Sequence, residues 1–217
     1  MNKIVKPEDL KPIFKDGMSI MIGGFLGCGT PHKIIDLLIQ LNIKDLIIIA
    51  NDTSYVDKGI GRLVVNKQVK KVIASHIGTN SETGRLMNLG EMEVELVPQG
   101  TLIERIRAGG SGLGGVLTPT GVGTTIEEGK QKIRIQDKDY LLELPLKADL
   151  SIIRGTIVDE SGNTFYRGTT RNFNPIIAMA GEKVIVEAEK IVKIGQLNPD
   201  YVTTPGVLVD YIIEGIE

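Results

Sequence analysis

A chain of 217 residues, 41% hydrophobic and 24% charged, can bury a full core and has the composition of an ordinary globular protein. Only 4% aromatic residues, no Trp and a formal charge of −2 leave no stacking surface for single-stranded nucleic acid and no basic footprint for DNA or RNA. Cys28 is the only cysteine, which excludes an intrachain disulfide, and no run approaches the roughly 18 consecutive apolar residues of a membrane-spanning helix. The opening segment to Leu10 lacks the apolar centre of a signal peptide, so a cytoplasmic location is expected. With no global positive field, any polyanionic ligand must be held by local groups.

In chain order, Pro7 to Phe14 reads as a short opening helix with Leu10, Ile13 and Phe14 on one side. Met18 to Ile22 is an apolar strand that runs into a loop holding Gly23, Gly24, Gly27 and Gly29. Thr30 suits an N-cap and Pro31 a first helical position, and Ile34, Leu37, Leu38 and Leu41 follow at the spacing of one buried helix face. Leu46 to Ala50 and Val72 to Ala74 are continuous apolar runs, the mark of parallel strands covered on both faces. Glu93 to Val97 alternates instead, as a strand with one wetter face does. Gly100 to Ala108 reads as helix, and the glycine-crowded stretch 109–123 as a loop long enough to be functional. Two hairpins are expected, Lys132–Ile135 with Tyr140–Leu144 and Ser151–Val158 with Thr164–Tyr166, followed by strands over Lys183–Glu187 and Val207–Ile212. The pattern predicts one α/β domain over 1–217: an open, mostly parallel sheet with helices on both faces and β-hairpins in the second half.

Residues 16–31 carry the strongest functional signal. Strand, glycine loop and helix make a seat for phosphate or pyrophosphate, because glycine admits a close backbone approach and a helix start presents free N–H groups. A merely tight strand-to-helix turn remains the alternative. The third glycine of a dinucleotide-binding G-x-G-x-x-G would fall at His32, which argues against a nicotinamide-dependent dehydrogenase. Gln99, between Pro98 and Gly100 at a strand's carboxyl end, is either an oxyanion donor or the cap of the next helix. Cys28 and His32 lack a third partner for nucleophilic catalysis, and with His76 they do not make a metal site. Arg105 and Arg107 lie on nearly opposite sides of a helix, so at most one faces a ligand. Arg171, beside Asn172 and Asn174, receives no role.

Asp16-Gly17, the apolar run, Gly23-Gly24-Phe25 and Gly29-Thr30-Pro31 together resemble the glycine-rich segment of the alpha subunit of family I coenzyme A transferases. Val97 to Leu102, Glu104 to Gly110, Arg171 to Asn174 and Thr204-Pro205-Gly206 match further blocks of that family in order, most like the bacterial acetate/acetoacetate and butyrate–acetoacetate group. The resemblance implies a CoA-transferase-like fold. It also implies transfer of CoA between short-chain acyl-CoA and carboxylates such as acetate, butyrate and acetoacetate, by ping-pong chemistry with CoA as a substrate and no tightly bound cofactor. It places CoA against Gly24, Phe25, Leu26, Gly27, Cys28, Gly29 and Thr30, and makes Gln99 the side-chain oxyanion donor. The family's nucleophilic glutamate lies in a Glu-Asn-Gly motif of the beta subunit, and this chain has no Glu-Asn-Gly. A beta-subunit partner in an α2β2 assembly is therefore expected, with no nucleic acid, membrane or metal. The competing expectation is a nucleotide- or sugar-phosphate-binding sensory module of related fold.

Overall fold

The computed structural model describes residues 2–215, so the ends of the expected 1–217 domain lie outside the described residues. After a 3-10 turn at Pro7–Ile13, β1 (Ser19–Ile22), β2 (Leu46–Asp52), β3 (Val69–His76) and β4 (Glu93–Leu96) alternate with α1 (His32–Gln40), α2 (Ile60–Val65) and α3 (Ser81–Asn88). The longer α4 (Gln99–Gly110) leads into β5 (Val116–Thr118), β6 (Lys132–Ile135) and β7 (Lys138–Glu143), a separate antiparallel sheet in the order β5-β7-β6. The chain then returns as β8 (Ala148–Asp159), β9 (Thr164–Phe165), α5 (Asn174–Ile177), β10 (Gly181–Val192) and β11 (Tyr211–Glu214).

The main sheet runs β11-β10-β8-β1-β2-β3-β4, with every neighbouring pair parallel; β9 adds one antiparallel pairing to β8. Parallel strands need helices on both faces, and the core divides accordingly. Ile34, Ile35 and Leu38 of α1 pack with Leu63 of α2 and Leu86 of α3 on one face. Leu102 and Ile106 of α4 pack with Ile177 of α5 on the other. Each such side chain, fully buried, contributes about 1.5–3 kcal/mol of transfer free energy. β4 is an edge strand whose Glu93 and Glu95 both pair with Lys71 of β3, at 2.6 and 3.3 Å, which explains the alternation in its sequence.

The strand order reverses between β1 and β8: the chain builds outward from β1 to β4, then returns to the other side of β1 and builds outward to β11. The carboxyl ends of strands at such a reversal are where open α/β sheets bind ligands. The glycine loop leaves β1 there, and the Gly23 N–H donates to Ile152 O of β8 at 3.0 Å.

Several local expectations shift. The opening helix is a 3-10 turn with Pro12 inside it. Residues 109 and 110 belong to α4, and 116–118 form β5, so the glycine-crowded segment is partly structured. The strand expected over Val207–Ile212 begins only at Tyr211, because Gly206–Leu208 closes a 3-10 turn first. Thr30 is not the N-cap. That position falls to Pro31, and α1 begins at His32.

Candidate active site

The glycine loop folds back on itself. Phe25 and Cys28 exchange backbone hydrogen bonds at 3.0 and 2.9 Å across Leu26 and Gly27, whose φ angles are +50° and +87°. Glycine at the second of these positions removes the cost of a left-handed conformation. Leu26 tolerates its own because the buried Asp52 carboxylate accepts its N–H at 3.1 Å and the Ser54 N–H at 2.7 Å. Burial raises the Asp52 pKa, and those two amides offset the rise. Gly24 has φ +123°, and a Cβ there would meet the Thr30 Oγ1 at 2.0 Å. Thr30 is buried against this glycine, which is why its hydroxyl does not cap α1.

Two asparagines of the Arg171–Asn174 block clamp the loop from outside. Asn172 Oδ1 accepts the Gly24 N–H at 3.1 Å, and its Nδ2 donates to Cys28 O at 3.1 Å. The fully buried Asn174 donates to Gly29 O at 2.9 Å and Thr170 O at 2.8 Å, and accepts the Arg154 N–H at 3.1 Å. The amides of Gly24, Phe25, Leu26 and Cys28 are thus used within the protein. Those of Gly27, Gly29 and Thr30 have no acceptor among the described residues.

The start of α1 is not an open anion seat. Glu187, fully buried on β10, places Oε2 2.8 Å from the Lys33 N and 3.1 Å from the Ile34 N. The protein's own carboxylate occupies the positive end of the helix dipole, so the predicted seat for phosphate at the helix start is already filled. Burial pushes the Glu187 pKa up to about 7 despite these two amides and the nearby Arg154 and Lys33. Its Oε1 has no partner.

On the opposite face of the sheet lies a cavity of about 460 Å³. Gln99, Ile103 and Arg107 line it from α4 at four-residue spacing, one ridge of the helix. Phe25 and Cys28 contribute from the glycine loop, Asn51 from β2, and Asn172, Phe173 and Ile176 from the α5 region. Gln99 makes no cap: α4 has Pro98 at its N-cap, and the Gln99 Nε2 donates instead to Asn51 Oδ1 at 3.2 Å. The same oxygen lies 3.3 Å from Ser75 Oγ, which also donates to Asn51 O at 2.7 Å. Asn51 therefore fixes the orientation of the Gln99 amide, and one N–H of Nε2 remains for a ligand oxygen.

The arginines separate as their helical spacing requires. Arg105 is locked onto Leu144 O at 2.9 Å and Glu95 at 3.0 Å, near the buried Glu143, while Arg107 lines the cavity. Cys28 Sγ lies 3.0 Å from Thr169 Oγ1, and His32 Nε2 donates to Gly27 O at 3.3 Å, so the two form no nucleophile–base couple. Burial lowers the His32 pKa. Among the described residues no group of His, Cys, Asp and Glu is arranged to hold a metal ion, and no helix is long and apolar enough to cross a membrane. Residue-by-residue reading missed Asn51, Asp52 and Asn174. The signal for Asn174 was present in the Arg171–Asn174 block, but Asn51 and Asp52 end an apolar strand and carry no motif.

The family model described as coenzyme A transferase matches residues 8–215. The chain is 62% identical over 213 residues to the acetoacetyl-CoA:acetate/butyrate CoA transferase alpha subunit of Clostridium acetobutylicum, covering 98% of each chain. It is 56% identical over 211 residues to the acetate CoA-transferase subunit alpha of Escherichia coli K12, covering 97% of this chain and 96% of that one. Among solved structures, an acyl-CoA transferase of E. coli O157:H7, captured as a thioester complex with CoA, superposes with a TM-score of 0.86 at 22% identity. That match covers 98% of this chain but 47% of the other. Glutaconate coenzyme A-transferase from Acidaminococcus fermentans superposes equally well, at 0.86 and 19% identity, over 99% of this chain and 76% of that one. At these identities the two structures speak to fold alone.

Proposed function

Because the chain belongs to the coenzyme A transferase family, we propose that it is the alpha subunit of an enzyme moving CoA between short-chain acyl-CoA and carboxylates such as acetate, butyrate and acetoacetate. The observation that carries this reading is the convergence on one cavity of Gln99, the glycine loop and the Arg171–Asn174 block, three segments far apart in sequence. The sensory-module alternative gives way to the family match. All of 1–217 acts as one unit and joins a beta subunit in a cytoplasmic α2β2 assembly.

The chemistry proceeds in two halves. A glutamate of the beta subunit attacks the acyl-CoA carbonyl and expels CoA thiolate, which then attacks the glutamyl carbonyl to give an enzyme–CoA thioester and the free carboxylate. An incoming carboxylate reverses these steps and leaves as the new acyl-CoA. At each attack the carbonyl oxygen gains negative charge, and the free N–H of the Gln99 amide is the donor that receives it. An amide suits the task because it stays neutral and does not compete with thiolate or carboxylate as a nucleophile. Segment 24–30 supports acyl-CoA through the free amide of the partly exposed Gly27, while Asn172 and Asn174 hold the loop in shape.

In the assembled enzyme, Gln99→Ala should lower kcat by roughly 10²-fold with a smaller change in KM. Slow formation of the enzyme–CoA thioester should remain detectable by mass spectrometry, since the partner's glutamate is untouched. Near-normal kcat in this variant would remove Gln99 from the reaction.

A further inference from the structure

We propose that Arg107 captures the carboxylate substrate, an inference that rests on the reading of this cavity as the reaction site. Among the described residues lining the cavity, Arg107 alone is charged. The other walls are amides, hydroxyls, a thiol and the apolar Phe25, Ile103, Phe173 and Ile176. The acceptor is a small anion that must leave bulk water for these surroundings, and the one cation lining such a wall is where it first finds compensation.

The guanidinium is arranged for that role. Its Nε faces Glu104, at 3.0 and 3.3 Å from the two carboxylate oxygens. Neither Nη group has an acceptor among the described residues. The end-on edge of the fork, which takes a carboxylate through two parallel N–H···O bonds, is therefore open. Glu104 is half-exposed, so its pairing with Arg107 is weak and leaves most of the positive charge available. Arg105, two residues back, has no such freedom, because Glu95 and Leu144 O already hold it.

Position along α4 sets the order of events. Gln99 stands eight residues before Arg107, about 12 Å along the axis, and Ile103 lies between them on the same ridge. A long side chain on a helix leans toward the N-terminus, which brings the guanidinium back toward Gln99. Arg107 thus engages the acid in the same cavity as the oxyanion donor, with the apolar Ile103 between them on the ridge. Once the thioester is attacked the carboxylate charge moves onto the carbonyl oxygen at Gln99. Arg107 accordingly acts on capture of the acid, not on the bond-making step.

The test separates the two half-reactions in the assembled enzyme. With Arg107→Gln, discharge of the preformed enzyme–CoA thioester by subsaturating acetate should slow about tenfold and recover at high acetate. Thioester formation at saturating acetoacetyl-CoA should change less than twofold, and Arg107→Lys should restore part of the loss. Added salt should weaken acetate capture in the unmodified enzyme and have little effect in Arg107→Gln. An unchanged KM for acetate overturns the proposal, and so does an equal loss in both half-reactions. Gln99→Ala is run alongside. If it slows both half-reactions while Arg107→Gln leaves acetate capture intact, only the role of Arg107 fails. If Gln99→Ala slows neither, the reading of the cavity fails with it.

Discussion

α1 and α4 each follow a parallel strand at its carboxyl end, yet they use that position in opposite ways. α1 has the pattern that suggests an anion site: an apolar strand, a glycine loop and a helix start. Its first amides are nevertheless closed by Glu187, contributed by β10. α4 has no glycine-rich entry, and Pro98 stands at its N-cap with no side-chain cap among the described residues. It presents Gln99, Ile103 and Arg107 to an open cavity. A helix start is ready for a ligand only when nothing else in the fold reaches its amides. On the α1 side the amide left both unpaired among the described residues and partly exposed lies in the loop, at Gly27.

The largest expected effect tests the closed end. The Glu187 pKa stands at about 7 in the folded protein, against an ordinary carboxylate value near 4.5. Between those two values the folded state binds more protons than the unfolded state. This stabilising contribution is therefore complete below pH 4.5, falls as pH rises and is gone above pH 7. The span corresponds to about 3 kcal/mol. Chemical denaturation from pH 4.5 to 8 should show that decline, and Glu187→Gln should flatten it. An identical pH slope in the variant would mean that Glu187 is not the titrating group.

Next in size is the clamp. Asn174→Ala removes donors to Gly29 O and Thr170 O and the acceptor for Arg154 N, all in a buried setting. A loss of about 2 kcal/mol is expected, lowering Tm by roughly 4–8 °C. The KM for acyl-CoA should rise as well, because the glycine loop loses its tether. A stable Asn174→Ala enzyme with unchanged KM would uncouple the clamp from the site.

The two arginines sharpen the contrast within α4 itself. Arg105→Ala should cost about 1 kcal/mol of stability through its contacts to Leu144 O and Glu95, with no change in the KM for acetate. The smallest effect is at Cys28, whose thiol meets only Thr169 Oγ1 among the described polar groups. Cys28→Ser preserves that contact and should alter kcat less than twofold; a large loss would return the thiol to the chemistry.

Much was legible before any coordinates. Continuous apolar runs over Leu46–Ala50 and Val72–Ala74 announced buried parallel strands because such strands have no wet face; both fall within strands, Leu46–Asp52 and Val69–His76, that pair in parallel. The opposite sides of Arg105 and Arg107 followed from 100° per residue, and, given the family resemblance, the missing Glu-Asn-Gly implied a partner chain. Periodicity and short motifs report what neighbours along the chain do to one another. They cannot report that Glu187 would reach Lys33 across 154 positions, that Asn174 would hold Gly29, or that Asn51 would turn the Gln99 amide. Those contacts depend on strand order. The reversal at β1 brings β8 and the α5 region against the glycine loop and β10 against the start of α1, and it decides which polar groups are satisfied inside the protein and which remain for a substrate.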